Sequence, residues 1–183
     1  MEAEMQAYFN DLHSEDKNAQ YEAFNQIMMA AKEKVDWAYE VWDGLKDDLT
    51  HRDNHRRARA GQFLSYLAIS DPEKRMLKDF PAVWEVTKDK KFVTARHTLQ
   101  AIWRIALAGP EQKEMVLQHI SDRFIHGADE KNYTLIRFDM IQGLRNFYDE
   151  TKEEDVRQIA LDLIEKEEDP KYKKKYAGVW KNA

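Results

Sequence analysis

Cysteine is absent from these 183 residues, which excludes disulfides, thiolate metal sites and cysteine nucleophiles together. Proline and glycine are scarce, at four and six residues, while alanine, leucine, lysine, glutamate and glutamine are plentiful, so helix is favoured over strand nearly everywhere. No stretch approaches the roughly 18 apolar residues of a membrane span. The opening MEAEMQAYFNDLHSED is acidic and amphipathic, without the apolar centre of a signal peptide, so a cytoplasmic protein is expected. Only four serines occur, none in a G-x-S-x-G elbow, and there is no glycine-rich phosphate loop. Carboxylates abound, but spacing alone singles out no glycosidase-like pair. No catalytic residue and no cofactor are therefore expected, and the balance leans away from an enzyme.

What is present is a long, patterned, charged chain. Its length allows one continuous core without staples, and a single domain over residues 1–183 is expected. Net charge is −5 but unevenly placed: 4 basic against 12 acidic side chains in residues 1–50, 17 against 12 in 51–145, and 8 against 10 in 146–183. A basic middle between acidic ends marks either a footprint for an anionic partner or an ordinary solvated face.

An internal repeat organises the chain. RARAGQFLSYLA (57–68), ARHTLQAIWRIA (95–106) and RFDMIQGLRNFY (137–148) align without gaps, and YEAFNQIMMAAK (21–32) fits more loosely. Each has glutamine at its sixth position (Gln26, Gln62, Gln100, Gln142) and an apolar residue two further on (Met28, Leu64, Ile102, Leu144), at spacings of 36, 38 and 42 residues. Between them, residues 35–49, 72–86, 110–125 and 153–168 show apolar residues at three- and four-residue steps. Proline in the first turn is expected to start helices at Asp71-Pro72, Gly109-Pro110 and Asp169-Pro170. Five helix pairs result, approximately 2–31, 33–69, 72–108, 110–148 and 151–181.

This period and pattern resemble HEAT and related armadillo-type repeats over essentially the whole chain. The resemblance rests on Asp53, Arg57, Ala60 and Leu64 in the second pair and Arg137, Met140 and Leu144 in the fourth; the third departs, with Ala95 where arginine would stand. It implies an all-α fold, an α-α superhelix of about five helix pairs, with second helices lining a concave, partner-binding face. Residues two, five and nine positions beyond the arginine register would then face the groove: Arg59, His97 and Asp139; Gln26, Gln62, Gln100 and Gln142; Tyr66, Arg104 and Asn146, with Trp103 at the rim. A ladder of amides suits an extended peptide backbone because each offers donor and acceptor; the same glutamines also serve as ordinary solvated helix positions.

The segment HRDNHRRAR (51–59) places Arg52, His55, Arg56 and Arg59 near a helix start, where the dipole disfavours cations. Either Asp47, Asp48 and Asp53 neutralise it, or it holds an anion. His51 and His55 have a zinc-like spacing but lack the glutamate of H-E-x-x-H, and His119 and His126 stand two turns apart, about 10 Å by helical rise, so no metal is expected. Trp37, Tyr39 and Trp42 form a short aromatic stripe suited to core or partner, and KYKKK (171–175) opens the last helix. The leading expectation is a non-enzymatic interaction module binding a protein segment or peptide, without a membrane. The alternative is a DNA-binding helical-repeat enzyme resembling the alkylation-repair glycosylases, for which Trp103, Arg104 and Asp139 are available; a ligand-handling protein resembling HEAT-like lyases stands third.

Overall fold

The computed structural model describes residues 1–183 and contains helices and no strand. The fold is all-α. The chain gathers into two compact units, Met1–Thr98 and Leu99–Ala183, with the boundary inside one helix.

The first unit holds α1 (Ala3–Asp11), α2 (Lys17–Ala30), α3 (Ala38–Asp48), α4 (Asn54–Leu67), a 3₁₀ turn at Ala68–Ser70, α5 (Arg75–Val86) and most of α6 (Phe92–Ala101). Side chains set several starts. Asp16 accepts from Asn18 N–H at 2.8 Å and Asp53 from His55 N–H at 2.9 Å, each satisfying a first-turn donor that no carbonyl reaches. The start expected at Pro72 moves. Pro72 and Glu73 lie in a turn, Lys74 adopts a left-handed conformation (φ 55°), and α5 begins at Arg75 because the Asp71 carboxylate accepts from Arg75 and Met76 N–H at 2.9 and 2.7 Å.

The core of this unit comprises Ala23, Ile27, Trp42, Ala60, Phe63, Leu64, Leu67, Met76, Phe80 and Val83, all fully buried. Burying each large member contributes about 1.5–3 kcal/mol. On α2 the buried positions are Ala23, Ile27 and the following Ala31, whereas Met28 is half-buried, so the loosest repeat segment sits one residue off the register of the others. Arg57 is 9% exposed and joins the turns at both ends of its reach. Its Nε and Nη2 donate to both oxygens of Asp89 at 2.5 and 3.0 Å, and its Nη1 to the carbonyls of His51 and Arg52. Burial pushes Asp89 up, but the Arg57 bonds and the Lys91 N–H outweigh it and hold the carboxyl below the ordinary aspartate value.

The second unit takes the end of α6, a 3₁₀ segment at Ile102–Ala108, α7 (Pro110–His126), α8 (Tyr133–Thr151), α9 (Glu154–Glu165) and α10 (Pro170–Val179). Pro110 and Pro170 occupy the first helical position, where a missing N–H costs nothing, and Asp169 accepts from Lys171 N–H at 2.8 Å. Ile102, Ile105, Phe124, Met140, Ile141, Val156, Ala160 and Tyr176 form its core. Arg137 is buried there; it donates to Glu167 at 2.8 Å and twice to the Phe124 carbonyl, at 3.0 and 2.7 Å. No helix is long and apolar enough to cross a membrane.

Candidate functional site

An open trough of about 1030 Å³ lies in the first unit. One wall is α2, which contributes Lys17, Gln20, Tyr21 and Phe24, spaced so that all four share a helix face. The facing wall is the α3–α4 turn and α4, with His51, Arg52, Asp53, His55, Arg56, Arg59 and Gln62. His97 of α6 and His13 of the α1–α2 turn complete the lining. The trough thus carries Lys17, Arg52, Arg56 and Arg59 and four imidazoles against the single carboxylate of Asp53, in a protein of net charge −5.

Internal pairing neutralises only part of this charge. Arg57 turns away to Asp89, and Arg56 donates to Asp48 at 2.5 Å. Asp53 is engaged as the cap of α4. Arg52 and Lys17 are exposed and have no carboxylate partner. Arg59 is half-buried and donates to a neutral acceptor, the Leu12 carbonyl, at 2.8 Å. Burial lowers its pKa; Asp53 and Asp48 pull the other way from a distance, and Arg56 adds repulsion. A desolvated guanidinium without a counter-ion is the electrostatic signature of a place where an anion is favourable.

Six of the residues expected in a groove or an anion site meet here: Arg52, His55, Arg56, Arg59, Gln62 and His97. Each ladder glutamine engages an amide N–H within the chain. Gln26 donates to Glu22 at 2.6 Å, Gln62 to the Ala58 carbonyl at 3.0 Å, Gln100 to Asp139 at 3.1 Å and Gln142 to Asn146 at 2.9 Å. Gln26 and Tyr66 are half-buried and lie outside the trough lining.

In the second unit Arg104 and Asp139 are 8% and 3% exposed, so neither faces an open groove as the register led us to expect. For Arg104 the departure begins where α6 tightens to 3₁₀ geometry at Ile102, since three residues per turn rotate it away from α-helical register; Asp139, on the regular helix α8, is buried and accepts from Gln100. Trp103 packs on Gly143, where an added Cβ would stand 3.6 Å from its own, and the Arg104 guanidinium lies 5.2 Å from the Trp103 ring centre.

His13, Lys17, Tyr21 and Phe24 line the trough but fall outside the register of the second helices. The only sequence signal for the three on α2 is their 17, 20, 21, 24 spacing with Gln20; His13, in the α1–α2 turn, has none. No group of three histidine, aspartate or glutamate side chains is placed to hold a metal ion.

Compared with protein-family models and with curated proteins, the chain matches none of either.

Proposed function

We propose that the protein is a non-enzymatic binding module whose trough on α2 and α4 holds an acidic segment of a partner protein. The observation that carries this is the set of trough cations, Lys17, Arg52 and Arg59, that have no ion-pair partner within the chain although acidic side chains outnumber basic ones overall. Arginine forks favour carboxylates in bidentate geometry, and an open trough suits an extended chain better than a compact ligand. The HEAT-like superhelix belongs to the same proposal; the succession of short-linked helices and the Arg57–Asp89 contact support it. A cytoplasmic setting fits a chain without cysteine.

One observation favours a second reading, nucleic-acid binding. Tyr21 is 70% exposed on the trough wall beside Phe24, and an aromatic face among cations is the usual platform for an unpaired base.

The test is fluorescence anisotropy of labelled glutamate-rich peptide and of single- and double-stranded DNA and RNA at low and moderate salt, with wild type and Arg52→Glu/Arg59→Glu. Peptide binding lost in the variant supports the module. Binding of nucleic acid alone, with steep salt dependence, moves the assignment to the second reading. No binding to either class at low salt overturns both.

A further inference from the structure

Behind the trough lies a second, smaller pocket of about 290 Å³ between α1, α3 and α4. Phe9, Val41, Leu45 and Phe63 form an apolar part of its wall, Gln6, Asn10 and Asp48 a polar part, and it shares Leu12, His13, Arg56 and Arg59 with the trough. Charge and apolar surface therefore meet along one edge, at the two arginines. The volume is at the low end of ligand pockets, roughly 300–1,000 Å³, and suits one bulky side chain better than a larger ligand.

Gly44, exposed on the face of α3 that also carries Val41, Leu45 and Asp48, borders this space. It lines the pocket from the middle of α3, where glycine is less favourable than alanine by about 1 kcal/mol. A Cβ built there meets no atom within 4 Å, and the backbone does not need glycine, since no glycine in the chain has positive φ. Packing and conformation both permit a side chain at position 44; its effect would be to project toward the pocket.

We infer that the acidic segment carries a bulky apolar residue, of leucine, methionine or phenylalanine size, beside its carboxylates, and that this residue seats between Phe9, Val41, Leu45 and Phe63. The neighbouring carboxylates then meet Arg59, which stands at the rim common to both cavities and has no counter-ion; Arg56 beside it is already paired with Asp48. The arrangement is that of an interface anchor: a desolvated apolar side chain supplies affinity, and surrounding charges set orientation and partner choice. The inference rests on the reading of the trough as an acidic-segment site.

The experiment compares glutamate-rich peptides of equal charge, one with only glycine and serine between the acids and a set with a single leucine or phenylalanine stepped through each position. Burial of one such side chain corresponds to an affinity gain on the order of tenfold to a hundredfold, and that gain is expected at one or two positions only. In Gly44→Leu the ratio of anchored to unanchored affinity is expected to fall to about one; if a thermal melt shows that variant unfolded, Gly44→Ala replaces it, with a reduced ratio expected. Equal affinities for every peptide in wild type would overturn the anchor while leaving the trough reading standing. So would an anchor gain that survives in folded Gly44→Leu. Absence of binding by all peptides would remove the trough reading, and the anchor with it.

Discussion

The Arg59 guanidinium on α4 donates to the main-chain carbonyl of Leu12, at 2.8 Å, and so ties the end of α1 to the trough wall with a charged group that meets no carboxylate. No α1 residue is fully buried; the helix packs against α2, Phe9 makes edge contacts with Trp37 and Phe63 at 5.6 and 6.2 Å between ring centres, and the preceding Met1 amino group pairs with Glu40. Arg59→Met is therefore expected to loosen α1 selectively: amide exchange in residues 3–12 rises while that of α4 is little changed, and global stability falls by about 1–2 kcal/mol. Uniform acceleration of exchange across the first unit would show that the tie is not local.

Arg137 and Glu167 form a deeply buried ion pair, with side chains 9% and 2% exposed. Removing one charge leaves the other desolvated, so Arg137→Met is expected to cost about 3–5 kcal/mol in chemical denaturation, and Arg137→Met/Glu167→Met to recover most of it. A double variant no better than the single one would mean that the Phe124 carbonyl bonds, not the ion pair, carry the cost.

Two helix-interior glycines should respond oppositely to alanine. A Cβ at Gly61 would stand 2.5 Å from Thr98 Oγ1 and 2.6 Å from its Cγ2, and Thr98 is fully buried. Gly61→Ala is expected to destabilise by about 1–3 kcal/mol through overpacking. Gly44→Ala meets open space and is expected to stabilise by about 0.5–1 kcal/mol through helix propensity. Melts of the two variants check the sign of each.

Acid should unfold the first unit through its buried aspartates. Burial pushes Asp79 up, but hydrogen bonds from Trp42 and Lys46, at 2.9 Å each, and nearby cations bring it below 3.8; Asp89 is lowered likewise by Arg57. A carboxyl whose folded value lies below its unfolded one binds protons more readily when unfolded. Its stabilisation is complete above the unfolded value and is lost as pH falls through it toward the folded one. Melting temperature is expected to hold from neutral pH to about 5 and drop below about 4. Asp79→Asn should start lower and fall less steeply in that acid range.

The fold class was legible because it depends on quantities additive along the chain: helix propensity, the scarcity of proline and glycine, and apolar residues at three- and four-residue steps. Ala60, Leu64, Met140 and Leu144 are buried where the register puts them, since a helix carries its own periodicity into any packing. The trough was partly legible. Arg52, Arg56 and Arg59 declare themselves as a cluster, but which aspartate each would meet is a matter of distances between elements. Asp53 adjoins Arg52 in sequence yet caps α4, while Arg57 finds Asp89 thirty-two residues away.

What the sequence by itself determined is the helical architecture and the presence of more cations than local acids in residues 51–59. Tertiary structure decided which of those cations remain uncompensated, that Arg104 and Asp139 are buried, that Lys17 and Tyr21 face Arg59 across a trough, and that Gly44 opens on a pocket. Propensity and periodicity act between neighbours in the chain. Charge compensation and empty volume arise only between elements that packing has brought together.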